Sequence, residues 1–204
     1  MKPWKVILLV FVAVIVAAVA YGASMIRRGF SARDEASTLE TVVASAVRKI
    51  SIPRIDREKE NPLKSAATPE VIADARAHWA DHCASCHAND GSGNTEIGQN
   101  LYPKAPDMRL PATQNLTDGE LYYIIRNGIR LTGMPAWGDP DTLQDDDSWQ
   151  LVLFIRHLSQ ITPEELREME RLNPKTEAQR VAEVEAERFL NEGTVPQSQE
   201  QMHH

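Results

Sequence analysis

A pentapeptide near the middle of the chain, CASCH at residues 83–87, constrains the fold more than any other feature of the sequence. Its two cysteines are the only ones among 204 residues, which excludes a disulfide framework and any zinc or iron–sulfur site built from four cysteines of this chain. C-x-x-C-H is the attachment signature of a haem group. Two thiols three positions apart at a helix end can reach the vinyl groups on one porphyrin edge, and the adjacent histidine can ligate the iron. We therefore expect Cys83 and Cys86 to hold one haem and His87 to bind its iron.

Two other interpretations of this pentapeptide are weaker. A thioredoxin-like C-x-x-C requires a strand before it and a βαβ frame around it, whereas this sequence predicts helices and loops. A zinc site formed by Cys83, Cys86, His87 and His82 is conceivable, but it would leave the rest of the domain unexplained. Haem attachment is therefore the favoured interpretation.

The second axial ligand of the iron is predicted in the segment GMPAW at residues 133–137, which follows a predicted helix. A single methionine is usually a filler of the hydrophobic core. Here the neighbouring Gly133 and Pro135 stiffen the turn and let the backbone approach a porphyrin closely, which favours Met134 as the ligand. Met108, which lies 21 residues after His87, is the competing candidate.

An uncharged run of 21 residues, 6–26, lies near the N-terminus. As a helix it would be about 30 Å long, enough to cross the hydrocarbon core of a bilayer. A cleaved signal peptide is the alternative, but this run is longer than the apolar part of a usual signal. Basic residues flank both ends almost equally, so charge does not set the orientation. If residues 83–87 carry haem, everything after the run lies on the periplasmic, extracytoplasmic side of the cytoplasmic membrane.

A second helix is predicted over residues 33–50, because apolar side chains recur there at helical spacing. The apolar stripe consists of Leu39, Val42, Val43, Ala46, Val47 and Ile50. This stripe packs either on the chain's own haem domain or against another subunit beside the membrane, and the sequence favours neither. Residues 51–68 contain two prolines and a charged run without periodicity, which predicts a linker.

The compact part of the chain begins with a predicted helix that runs directly into Cys83. Thr68 suits the N-cap of this helix, and Pro69 suits its first position, where a missing N–H has no cost. Further helices are predicted at 117–128, opened by a capping box, and at about 146–160. The predicted fold class is therefore all-α, a small domain wrapped round one haem, with an N-terminal transmembrane helix and helical extensions.

Another capping box, at 162–165, opens a charged helical stretch that continues to about residue 190. Its polarity favours an extension that is solvated or contacts a partner. The last residues are predicted to be disordered, and we assign no role to His203 and His204. The predicted organisation is an anchor at 1–28, an amphipathic helix at 29–50, a linker at 51–68, a haem domain at 69–161, a helical extension at 162–190 and a disordered tail at 191–204.

The charge of the chain restricts its partners. The sequence has 22 basic and 29 acidic side chains and a net charge of −7. This balance argues against a nucleic-acid partner, because phosphate binding requires a basic face. It allows a basic protein partner. The apolar run near the N-terminus predicts the membrane as a further partner.

The stretch from about residue 69 to 160 resembles the small monohaem cytochrome c domains of the His/Met type. It shares their C-x-x-C-H motif, their Gly-Met-Pro-x-Trp ligand loop and a closing helix with Trp149 and Phe154. In many members of that family a glycine stands eight residues before the first cysteine and lets two helices cross closely. Here that position is Ala75, whereas the expected aromatic residue is present as Trp79. The resemblance implies one covalent haem c attached through Cys83 and Cys86 and ligated by His87 and Met134.

The function that this resemblance implies is single-electron transfer. An iron with both axial positions occupied has no open site for a substrate, so we expect an electron carrier rather than an enzyme. It would act as a membrane-tethered carrier or as the cytochrome subunit of a respiratory or dehydrogenase complex, with redox proteins as donor and acceptor. Two alternatives remain: a haem enzyme or gas sensor with a labile sixth ligand, and a structural subunit of a membrane complex.

Overall fold

The computed structural model describes residues 2–29, 31–142 and 145–192. Every regular element in these ranges is helical and none is a strand, which confirms the all-α fold class. A π-helical turn occupies Trp79–Cys83, and 3₁₀ turns occupy Lys64–Ala66 and Leu158–Gln160. The described α-helices are α1 (Pro3–Arg28), α2 (Thr38–Ser51), α3 (Arg54–Arg57), α4 (Pro69–His78), α5 (Ala84–His87), α6 (Glu96–Asn100), α7 (Pro111–Gln114), α8 (Asp118–Asn127), α9 (Asp146–His157), α10 (Pro163–Leu172) and α11 (Glu177–Glu192).

The N-terminal helix α1 is long and apolar enough to cross a membrane. Its 26 residues extend over about 39 Å at a rise of 1.5 Å per residue. None of them is buried against the rest of the chain. Arg27 and Arg28 occupy its last turn, where positive charge complements the helix dipole, and Gly29 ends the helix with φ +78°.

Helix α2 begins five residues later than the sequence predicted, because a capping box fixes its start. The Ser37 side chain accepts a hydrogen bond from the Glu40 N–H, and the Glu40 carboxylate accepts one from the Ser37 N–H at 2.7 Å. The large side chains of its apolar stripe are all more than half exposed, from 51% at Val43 to 80% at Ile50. The stripe therefore does not pack on the helices that the structure describes, and the first of the two interpretations above is wrong.

Residues 51–68, predicted as a linker, are packed onto the helical core rather than forming a free spacer. Ile52 and Asn61 are buried. The Asn61 side-chain amide donates a hydrogen bond to the carbonyl oxygen of Trp149 in α9 at 2.9 Å. The backbone of α3 lies so close to α8 that a Cβ atom on Gly119 would be 2.0 Å from the carbonyl oxygen of Asp56. Polar composition and two prolines concealed these contacts, since they are made by the backbone, by the Asn61 amide and by only two apolar side chains, Ile52 and Leu63.

Helix α9 is the centre of the core, and α4 and α8 both pack against it. Val152 and Phe154 of α9 are completely buried, as is Ala75 of α4. Ala75 is the only buried residue of α4, so the methyl group that replaces the family's glycine is accommodated within the helix contact. Between α5 and α8 the chain contains the two short helices α6 and α7.

Helix α10 belongs to the core, contrary to the prediction of a solvated extension. Its capping box at 162–165 is formed as predicted. Met169 is completely buried, and Leu166 packs against the core cluster. Arg76 of α4 forms ion pairs with Glu165, at 2.9 Å, and with Glu168. Helix α11, in contrast, keeps Val181 and its other described apolar side chains exposed. Of the disordered tail predicted at 191–204, residues 191 and 192 belong to α11, and the others lie outside the described residues.

We predict that Met169→Ala lowers the free energy of unfolding by about 2–5 kcal/mol, because it removes a fully buried side chain and leaves a cavity. Leu172→Ala on the same helix is the matched control, since Leu172 is 42% exposed and should cost less than about 1 kcal/mol. Guanidinium titration of the full chain in detergent measures both values. Equal effects of the two substitutions would contradict the assignment of α10 to the core.

Candidate haem-binding site

The CASCH pentapeptide lies where the first core helix changes its geometry. Helix α4 continues as the π-helical turn that ends at Cys83, and α5 then begins at Ala84. A π-helical turn widens the spacing of backbone hydrogen bonds and is frequent at functional sites. Cys83 and Cys86 are free and half-buried, whereas His87 is buried.

The loop after the pentapeptide is folded tightly against it. The Gly93 N–H donates a hydrogen bond to the His87 carbonyl oxygen at 2.8 Å. A Cβ atom on Gly98 would be 2.2 Å from the carbonyl oxygen of Cys86, so only glycine permits this approach of α6. These contacts fix the backbone of the attachment segment from its C-terminal side.

The His87 imidazole is buried and has the properties of a metal ligand. Burial lowers the pKa of His87 to about 4, so the ring is neutral near pH 7 and keeps a free lone pair. Its Nδ1 atom is buried without a hydrogen-bond partner among the described residues. Its ring packs against Trp79 with 5.8 Å between the ring centroids. A buried polar ring with an unmatched nitrogen is unfavourable unless a further group completes the site.

The Cys83 thiol does not have the properties of a redox-active or zinc-binding thiolate. Burial raises the pKa of Cys83 to about 12, with the neighbouring Cys86 adding to the shift, so the group is a thiol rather than a reactive thiolate. His82, the fourth ligand of the zinc alternative, is paired with Asp81 at 3.2 Å. Within the described ranges, no three His, Cys, Asp or Glu side chains are grouped to hold a metal ion.

The loop that contains Met134 is folded back onto the end of α8. The Met134 N–H donates to Thr132 Oγ1, and the Met134 carbonyl oxygen accepts from the Ile129 N–H, both at 3.1 Å. The Trp137 N–H donates to the carbonyl oxygen of Ile125 in α8 at 3.1 Å. Gly128 begins the loop with φ +64°, a conformation that strongly favours glycine. The methionine is therefore carried by a loop that hydrogen bonds hold at both ends.

All four predicted site residues line one cleft of about 540 Å³: Cys83, Cys86, His87 and Met134. The cleft falls within the range of about 300–1,000 Å³ that is usual for cofactor and ligand sites. Met108, the competing methionine, does not line it and packs against the hydrophobic core instead. Two thiols on a helix end, a neutral buried imidazole and a thioether around a cleft of this size fit a haem group.

Helix α2 supplies one wall of this cleft, a contribution that was not predicted from the sequence. The residues of this segment that line the cleft are Ala36, Glu40, Thr41, Ala44, Ser45 and Arg48. The Lys104 ammonium, also at the cleft, pairs with Glu35 just before α2 at 3.2 Å. The available signal was the run of small and polar residues on the side of α2 opposite its apolar stripe.

The helical fold, the cleft and the apolar N-terminal helix resemble those of membrane-anchored cytochromes c, a class of electron-transport protein. Residues 70–155 match the sequence profile of the family described as cytochrome c oxidase, cbb3-type, subunit III. The chain is also similar to the cbb3-type cytochrome c oxidase subunit FixP of Rhizobium meliloti (strain 1021), with 32% identity over 96 residues. That similarity covers 47% of this chain and 30% of the relative, so the chain spans less than a third of the relative's length.

We predict that Gly128→Ala displaces the Met134 loop. An alanine at φ +64° costs about 1–2 kcal/mol, and its Cβ atom would be 2.6–2.7 Å from backbone atoms of residues 134–136. Gly133→Ala in the same loop is the control, because its Cβ atom would meet only the movable side-chain end of Leu101. The melting temperature of the full chain should fall for Gly128→Ala and change little for Gly133→Ala. The reverse order would contradict this account of the loop.

Proposed function

We propose that this protein transfers single electrons through one haem c, attached by Cys83 and Cys86 and ligated by His87 and Met134. The observation that carries the proposal is the convergence of these four side chains on one cleft. The cysteines lie three positions apart at the end of a helix, as thioether formation to one porphyrin edge requires. Bound haem supplies an iron that alternates between the ferrous and ferric states.

The protein residues determine how such a group would behave. His87 offers a neutral lone pair, because burial holds its pKa at about 4. The soft thioether of Met134 favours ferrous iron and raises the reduction potential. With His87 and Met134 both holding the iron, no position would remain open for oxygen or substrate. These properties support an electron carrier rather than a catalyst.

The comparisons support a place for this carrier in a membrane-bound oxidoreductase complex. We infer that it is a cytochrome subunit of an oxidase of the cbb3 type or a related respiratory complex, and that it passes electrons between redox proteins. Because haem c is attached outside the cytoplasm, the haem domain is assigned to the periplasmic side of the membrane. Purification in mild detergent followed by identification of the co-purifying subunits tests this part of the proposal.

We predict that Met134→Ala keeps the haem attached, lowers the reduction potential and opens the iron to carbon monoxide. The reason is that the substitution removes the sixth ligand and leaves the attachment segment unchanged. Met108→Ala is the matched control, since Met108 packs against the core and does not line the cleft. Absorption spectra with and without carbon monoxide, and a redox titration, measure these effects.

Two results would contradict this ligand assignment. The first is a Met134→Ala protein that remains low-spin and does not bind carbon monoxide. The second is carbon monoxide binding by the unmodified protein, which would favour the alternative of a haem enzyme or gas sensor with a labile sixth ligand.

A further inference from the structure

Helix α2 has two opposite faces, and only one of them borders the rest of the described structure, across the cleft. With 3.6 residues per turn, the residues of α2 at the cleft and the residues of the apolar stripe fall on opposite sides of the helix. The cleft therefore takes the polar face, with Glu40 and Arg48 near its two ends. The apolar stripe points away from the cleft and is exposed. This is the inverse of the usual arrangement, in which the apolar face of a helix packs on its own domain.

The position of α2 in the chain keeps it near the bilayer. Helix α1 ends at Arg28 and α2 begins at Thr38, so nine residues separate them. Nine residues reach at most about 30 Å even when fully extended. If α1 spans the membrane, the start of α2 consequently stays within about 30 Å of the membrane surface at which α1 ends.

The charges of the chain are segregated in the same direction. Residues 27–59, which contain α2 and flank the membrane helix, have eight basic and five acidic side chains. Residues 60–204 have twelve basic and twenty-four acidic side chains. A surface of anionic lipid headgroups attracts residues 27–59 and repels residues 60–204. This difference keeps α2 close to the membrane surface and the rest of the chain away from it.

We propose that α2 lies on the bilayer surface, with its apolar stripe at the boundary between the headgroups and acyl chains of anionic lipids. An amphipathic helix with a polar opposite face and neighbouring basic residues binds a membrane in this way. A consequence is that the cleft, on the other side of α2, is held close to the membrane rather than at the far end of a flexible tether.

A second copy of this chain is a less suitable partner for the apolar stripe than a lipid surface, because the stripe is small. Helix α2 has 14 residues and is about 21 Å long, and its exposed face is about 10 Å wide. The face therefore offers roughly 200 Å², against about 800 Å² per partner in a typical stable interface. A lipid surface needs no minimum contact area of this kind, because α1 already anchors the chain.

Photocrosslinking of the full chain in its native membrane tests this placement. The photoreactive residue p-benzoylphenylalanine replaces Val43 in one variant and Val47 in another. If one of the two variants fails to fold, the other still tests the placement of α2. Leu110 is the control position, because it is exposed on the haem domain and lies outside the stripe. Mass spectrometry after illumination identifies whether each position is joined to lipid or to protein.

We expect lipid adducts at Val43 and Val47 at a yield several-fold higher than at Leu110. In vesicles of phosphatidylcholine alone, that yield should be several-fold lower than in vesicles that also contain phosphatidylglycerol. Adducts to a second copy of the chain or to another protein would overturn the proposal, as would equal lipid yields at all three positions. A yield independent of phosphatidylglycerol would overturn the role of the anionic headgroups.

Discussion

Trp79 is the residue through which the helical core holds the candidate haem site in place. Its side chain is almost completely buried and lies against Phe154 of α9, with 5.4 Å between the ring centroids. The same ring contacts the His87 imidazole, and its Nε1–H donates to the Ala88 carbonyl oxygen at 3.0 Å. The core contact, the position of the His87 ring and the exit of the chain from α5 therefore all involve one side chain. Tryptophan suits this position, because its apolar ring packs in the core while its single polar atom donates a hydrogen bond to the backbone.

The features that the sequence predicted well are those fixed by short-range chemistry. The capping box at 117–120 and the N-cap at Thr68 are formed as expected, because a side chain three residues away satisfies the free N–H groups of the helix start. Met134 was favoured over Met108 on the glycine and proline that flank it, and the cleft includes the first methionine and not the second. Whether Met134 binds iron stays a prediction.

The features that were missed depend on long-range contacts. The periodicity of α2 identified its apolar stripe but not the partner of that stripe, and the polar face turned out to line the cleft. Helix α10 is dominated by charge, and this polarity outweighed its two core-facing apolar residues, Leu166 and Met169, which lie three positions apart on one face. Residues 51–68 are held by backbone contacts and by Asn61, which composition does not reveal.

The candidate site is made by one helix end, one loop and one wall from outside the segment that matches the family profile. Helix α2 would contribute to the cleft on one side and to membrane contact on the other, so that the anchor and the cofactor site are one structural unit. The central claim is that Cys83 and Cys86 are both bonded to one haem in this unit. Intact mass spectrometry of the denatured full chain tests it most directly. If both thiols are bonded to one haem, denaturation does not release the haem, and the measured mass is that of the chain plus one haem. The mass of the chain alone, or of the chain with the two thiols joined as a disulfide, would contradict it.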